Sequence, residues 1–466
     1  MFGAPGWLRN LVSRPVLESH DAIPAASDNV VEPAAVHVAP PLQLGQVFGG
    51  SSYANPLSYI VRDVERNFCR ALKDDKYEVL VIYGTSKQGK SSLRRNVLPN
   101  DSCTFVTASQ EVTREAIYRE ALNGVGASAK TTRESTSSVE KKFSIEINAP
   151  SWLMLDKLFG FGASAERERK NGVTTEEVEV DLSLAAAVAR IYAKHGGRKP
   201  IVIDNFHHID PDLQAQIATD IRAFAEYGIK FVMLGTWKAQ NYIQKKNTDL
   251  IGRVCALSIE PWTDSDLSRV IDAGESLLNI KFSPNVRTGQ LQRCTGNIAL
   301  LHEIAQLYLL SLGISGRCEN LTGISDEYSF RQACRSVADG VLQHQIEAFQ
   351  EIAKIGEPWN DANKTRMYWI LRAFLSDQRS THLDGVDFAR LYERIASLLT
   401  AEGHSETISK AVAMKLLKKD LISSQQKFLQ TPIIGYDATA DRLVTMDSWA
   451  LFIIRLHRAK IVEALD

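Results

Sequence analysis

The chain contains no run of about eighteen consecutive apolar residues, the length a membrane-crossing helix needs, so no membrane span is expected. Its six cysteines (Cys69, Cys103, Cys255, Cys294, Cys318 and Cys334) form no CxxC pair and show no metal-ligand spacing. That scatter argues against a zinc site or a disulfide framework and fits reduced thiols in a cytoplasmic protein. Neither sign of charge dominates: 54 Lys and Arg stand against 55 Asp and Glu, for a formal net charge of -1. No global basic field therefore points to nucleic acid, although a local basic face remains open. GxSxG and HExxH are absent, which leaves serine-hydrolase and zinc-peptidase chemistry without support. No repeat of fixed period is visible. The apolar start, residues 1–12, lacks a basic n-region and is interrupted by Pro5, Gly6 and Arg9, so it is not expected to be a signal peptide. A plain tail and a short docking segment both fit it.

What is present is ordinary globular composition, 44% hydrophobic and 23% charged over 466 residues, enough for two or three domains. Residues 1–45, rich in Ala, Pro and Val with little periodicity, are expected to be a tail or linker. From about residue 46 to 260 short apolar runs alternate with helical spacing. Strands are expected at 78–83, 104–106, 200–204 and 230–235, with helices at 59–72, 90–98, 113–122, 184–194 and 211–226. That rhythm predicts an α/β fold with a parallel sheet covered on both faces. Residues 127–180 break it. They read as an insertion with a hairpin or flap, carrying alternating runs at 142–147 and 175–180 and apolar islands at 152–155 and 159–162. Residues 261–350 read as wholly helical. In 351–466, helices near 363–377, 385–400 and 405–419 precede strand-like segments at 427–434 and 441–446 and a last helix from Trp449. Three helices and a two-stranded wing is the winged-helix order.

The strand at 78–83 runs into Gly84-Thr85-Ser86-Lys87-Gln88-Gly89-Lys90-Ser91-Ser92, a GxxxxGK[ST] phosphate loop opening a helix. Its glycines let successive amides turn toward phosphates, and the helix N-terminus adds a favourable dipole. Lys90 can reach the β- and γ-phosphates of ATP, and the Ser91 hydroxyl can ligate Mg²⁺. Ile201-Val202-Ile203-Asp204 is a second element, an apolar strand ending in an acid that would hold the same Mg²⁺. Asn205 stands where a carboxylate would polarise the attacking water, and an amide cannot take that proton. Hydrolysis is therefore slow, or His207, His208 or Asp210 substitutes. Thr236, after the strand at 230–235, is either a γ-phosphate sensor or a helix N-cap.

Together these residues resemble the STAND and AAA+ branch of the P-loop ATPases over roughly residues 47–305. The likeness takes in Phe48, Val61-Arg62, the loop, Asp204-Asn205-Phe206-His207, Leu234-Gly235-Thr236-Trp237, 249–254, Pro261-Trp262 and Thr295-Gly296-Asn297. It implies a P-loop NTPase core (46–260), a helical lid (261–350) and a C-terminal winged-helix-like domain. It also implies that Arg253 is either an arginine finger for a neighbouring subunit or an ordinary surface arginine. Ile298 and Ala299 supply neither the proline of STAND lids nor the sensor arginine of other AAA+ lids. Two functions follow from the resemblance. One is a nucleotide switch controlling assembly with protein partners or itself, as in bacterial defence or signalling. The other is a DNA-associated loader using residues 405–446, where Lys410, Lys415, Lys418 and Lys419 line one helix and Lys427 and Arg442 flank the wing. Contact of that helix with protein is the alternative to DNA. An adaptor with a degenerate nucleotide site is the third reading.

Overall fold

The computed structural model describes residues 42–49, 56–133, 142–150, 165–170, 173–180, 182, 184–236, 242–359, 364–429 and 432–466. Residues 1–41 of the expected tail and the apolar islands at 152–155 and 159–162 lie outside the described residues, whereas the tail's expected end at 45 is corrected, since Leu44 opens a short helix, Leu44–Val47, and is buried. The chain divides into two compact units. One comprises Val61–Tyr83 and Lys90–Ser258; the other comprises Leu42–Ile60, Gly84–Gly89 and Ile259–Asp466.

The first unit contains strands β1 (Val79–Tyr83), β2 (Thr104–Thr107), β3 (Ala127–Arg133), β4 (Lys142–Pro150), β5 (Ala165–Lys170), β6 (Val173–Val180), β7 (Ile201–Asp204), β8 (Phe231–Gly235) and β9 (Val254–Ser258). Five of them form a parallel sheet in the order β2-β7-β8-β1-β9. β1 and β8 are buried at every position, as β-branched and aliphatic runs must be when helices cover both faces. Alternate residues Val79, Val81, Ile201, Ile203, Phe231 and Met233 share one core with Ile117, Tyr118, Val188, Tyr192, Ile217 and Phe224 from helices Arg114–Asn123, Ala185–Gly196 and Pro211–Ala225. Each such side chain contributes roughly 1.5–3 kcal/mol on burial. Helix Asp63–Lys73 packs on β1 and β9.

The insertion forms a separate antiparallel sheet, β3-β4-β6-β5. The two alternating runs seen in the sequence are β4 and β6, paired from Phe143 opposite Val180 to Pro150 opposite Val173.

The second unit has one core running from Leu44, Val47 and Phe48 to Ile461. A Cβ at Gly274 would overlap the Phe48 ring, so helix Asp264–Leu278 needs glycine where that ring is seated. Residues 261–350 are not wholly helical. β10 (Ile280–Phe282) and β11 (Thr322–Ile324) form a parallel pair among helices Pro284–Cys294, Ile298–Ser311 and Glu327–Ala353. Three-residue strands leave too little alternation to read. Further on, helices Arg366–Ser376 and Phe388–Ala401 fall where expected. The third helical stretch begins at Lys410 and continues through a wide turn at Leu416–Asp420 into Leu421–Gln425. The expected strand at 427–434 is thereby corrected. Its first residues follow the helix, and β13 starts only at Ile434 (Ile434–Asp437). β13 pairs antiparallel with β14 (Arg442–Thr445), and a two-residue strand, β12 (Val386–Asp387), completes the sheet. Helix Ser448–Leu465 follows.

Candidate functional site

In a parallel sheet, the loops leaving the carboxyl ends of the strands gather at one edge, where ligands bind. The order β7-β8-β1 fixes what gathers there. β1 leads into the phosphate loop, β7 ends on Asp204, and β8 lies between them and leads to Thr236. Ser91 and Asp204, 113 residues apart in sequence, are thus delivered to one edge by register alone.

Lys90 and Ser91 open helix Lys90–Val97. The Ser91 hydroxyl donates to Oδ2 of Asp204 at 3.5 Å, and the Asn205 amide donates to Asp204 Oδ1 at 2.9 Å. A hydroxyl and a carboxylate at this separation are hard oxygen donors of the kind Mg²⁺ prefers. Among the described residues no group of three or more His, Cys, Asp or Glu could hold a metal unaided.

Asn205 has φ 58°, in the left-handed region that Asn tolerates better than Glu. The backbone thus gives its own reason for an amide where a carboxylate was expected. It occupies the N-cap position of the short helix Phe206–His208 without a side-chain capping bond. Of the three substitutes considered for the missing acid, Asp210 is engaged as the N-cap of helix Pro211–Ala225, accepting from the amides of Asp212 and Leu213. His207 and His208 pack with ring centroids 4.0 Å apart and ring planes tilted by 37°. Burial, then the charges of His208 and Lys90, push the His207 imidazole down to about 4, so it is neutral near pH 7. Thr236 is half-buried directly after β8. Arg95, not anticipated, has its guanidinium lowered by burial, with the Asp204 charge opposing that shift.

Arg253 lies at the other edge. It precedes β9, and its Nη1 pairs with Glu78 Oε1 at 2.5 Å. Arg222 reaches the same oxygen.

The loop residues 84–89 belong to the second unit. Gly84 (φ 150°), Lys87 (φ 60°) and Gly89 (φ 89°) all have positive φ, the bend that turns backbone amides inward. The Thr85 amide donates to Oε1 of Glu260 at 2.8 Å, and its hydroxyl donates to the same oxygen. The Trp262 indole N–H donates to the Gln88 carbonyl at 3.1 Å. Lys87 Nζ lies 3.4 Å from Glu303 and 4.8 Å from the centroid of the Trp449 ring. Glu260, Glu303 and Trp449 carry no local signal. They are 175 or more residues from the loop, and only folding brings them to it.

Residues 73–243 match the family model described as AAA domain. No curated protein matches the sequence significantly. Among solved structures, the chain is similar to Cdc6p from Pyrobaculum aerophilum, with 12% identity, 91% of this chain and 99% of that chain covered, and a TM-score of 0.40. It is also similar to Drosophila ORC bound to DNA (11% identity, 93% and 96% covered, TM-score 0.36). A third is the Aeropyrum pernix ORC1 protein in complex with DNA (11% identity, 90% and 97% covered, TM-score 0.34). At scores this low the structural likenesses carry no argument about function. Residues 73–243 thus match the AAA domain model and carry the parallel sheet, phosphate loop and terminal acid of a P-loop NTPase fold.

Proposed function

We propose that the protein is a Mg²⁺-ATP-dependent AAA-type ATPase that works on DNA. The nucleotide part rests on one observation above the others: a strand–loop–helix whose Ser91 hydroxyl meets the carboxylate ending β7. ATP phosphates would lie on the amides of residues 86–92, with Lys90 on the β- and γ-phosphates. Ser91 and Asp204 would hold Mg²⁺, which neutralises charge on the transferring phosphoryl group. Thr236 would contact the γ-phosphate or the attacking water. Arg253, held by Glu78 at the opposite edge, would serve only a neighbouring copy.

The DNA part rests on the third helical stretch of the C-terminal region. Lys410, Lys415, Lys418 and Lys419 are exposed along it, as are Val412 and Ile422, and Lys427 is exposed just after it. Glu406 and Asp420 are the acids nearest them in sequence. Together with β13 and β14 this stretch has the element order of a winged helix, which would present it to a groove and the strands to phosphates. A second reading, a slow nucleotide switch of the STAND type controlling assembly, is favoured by Asn205.

Phosphate release by the full chain with Mg²⁺-ATP, with and without duplex DNA, separates the two readings, using Lys90→Ala as blank. DNA-stimulated turnover is expected. Affinity for duplex should fall with salt at a log–log slope of about -3 to -4 if four of the lysines meet phosphates. Salt-insensitive or undetectable DNA binding would reject the DNA reading. Nucleotide retained without turnover in either condition would then leave the switch.

A further inference from the structure

The phosphate loop is held at two points by one short segment. Thr85, second in the loop, gives both its amide and its hydroxyl to the Glu260 carboxylate. Gln88, fifth in the loop, accepts the Trp262 indole N–H on its carbonyl. The two loop residues are joined to each other, the Gln88 side-chain amide donating to Thr85 Oγ1 at 3.3 Å. Gln88 and Thr85 are 2% and 4% exposed and Trp262 is 6% exposed, so the bonds among these three are shielded from competing water, while Glu260 is half-buried. Between the two held residues lies Lys87, a non-glycine residue with φ 60°. Left-handed backbone at such a residue persists only where its surroundings over-determine it. The clamp brackets the strained position and supplies that constraint. Gly84 contributes at the loop's start, because a Cβ there would stand 2.6 Å from Ile259 and 3.4 Å from the Glu260 side chain.

We propose that Glu260 and Trp262 are positioning residues that hold the phosphate loop in its nucleotide-ready shape. The inference rests on the reading that this loop binds ATP. An unclamped loop of this length samples many conformations, and ordering it on binding would reduce affinity; a clamp made in advance removes that loss. The segment continues through Thr263, which caps helix Asp264–Leu278 by accepting from the Asp266 amide. The loop is therefore anchored one residue from the start of a long helix in the same unit.

The role of Glu260 is that of a hydrogen-bond acceptor, which an amide carbonyl can fill, rather than of a charge. The test is ATP affinity of the full chain by titration calorimetry, with Glu260→Ala, Glu260→Gln and Trp262→Phe. Glu260→Ala is expected to weaken ATP binding about tenfold or more, the equivalent of losing the two hydrogen bonds that Thr85 makes to it. Glu260→Gln should return affinity to within about threefold of wild type by keeping the acceptor. Trp262→Phe, which removes only the indole donor, should weaken binding about threefold to tenfold. In steady-state turnover the losses should fall on KM with kcat retained. A Glu260→Ala protein that binds ATP as well as or better than wild type would overturn the proposal. So would failure of Glu260→Gln to restore what Ala loses. A wild-type protein with no more affinity for ATP than Lys90→Ala would instead remove the nucleotide reading on which the proposal stands.

Discussion

At the amino edge of the five-stranded sheet, Glu78 is 9% exposed and its Oε1 takes Arg222 and Arg253 together. Beside it, Lys230 donates to the Tyr77 carbonyl at 2.9 Å and to that of Asp74. At the carboxyl edge, Ser91 and Asp204 meet only at 3.5 Å, Asn205 is held at φ 58°, and His207 and His208 pack together beside them. Both edges belong to the same strands. The first has spent its charges on each other, through close pairs that fix β1 against β9. The second has oxygen donors at the long limit of a hydrogen bond, an arrangement that adds little to stability and leaves room for a cation between them. The difference teaches that charge in this domain does two jobs, and that distance separates them better than residue type.

Lys90→Ala should have the largest effect. The loop lysine's charge-assisted contacts to phosphate should be worth a hundredfold or more in affinity, roughly 2.7 kcal/mol, with little change in thermal midpoint. Titration with Mg²⁺-ATP measures it, and an unchanged affinity would erase the distinction between the edges. Glu78→Ala is the converse experiment. It leaves two arginines without their carboxylate, but both are more than two-fifths exposed, so solvent screening limits the loss to about 1–2 kcal/mol of unfolding free energy. ATP affinity should not move. If it falls with Lys90→Ala-like severity, the amino edge is not merely structural. Asn205→Glu comes third. A carboxylate there should raise the rate of phosphate release about tenfold, well short of what a fully positioned base provides, because Glu fits left-handed backbone poorly. No rise at all would show that the acid's absence is not what limits turnover.

Much of this was legible in the residues. The phosphate loop announces itself because glycine, lysine and serine must stand at fixed spacing, and β1, β7 and β8 are readable because strands buried on both faces are apolar throughout. The alternation at 142–147 and 175–180 likewise marks β4 and β6, which pair with each other. The sequence could not show β10 and β11, since three residues carry no period. It also suggested a strand at 427–434 where Lys427 and Phe428 still follow a helix, because apolar residues at a helix end resemble a short alternating run. Arg253 was legible as a charged residue before a strand, but its partner Glu78 lies 175 positions away, and pairing at that range comes from register alone. The same holds for Glu260 against Thr85.

The smallest expected effect concerns pH, and it marks the carboxyl edge from inside the fold. An imidazole in the unfolded chain titrates near about 6.5, whereas His207 in the folded protein is pushed down to about 4, mainly by burial and further by His208 and Lys90. Between those values the unfolded chain binds more protons than the folded one, so stability rises with pH across that window. The contribution is fully present above about pH 6.5 and is lost as the pH falls toward 4. His302, in the second unit, is also lowered to about 4, by burial alone, and gives the same sign. Urea denaturation between pH 4 and 7 should therefore show a slope that His207→Gln flattens in part and His302→Gln flattens in part. The two histidines should part company when ATP is added. Phosphate against Lys90 would offset the cation that helps hold His207 down, raising its pKa and shrinking its share of the slope, while His302 has no such neighbour among the causes of its shift. A nucleotide-dependent change that survives in His207→Gln but vanishes in His302→Gln would reverse this assignment and place the responsive group away from the carboxyl edge.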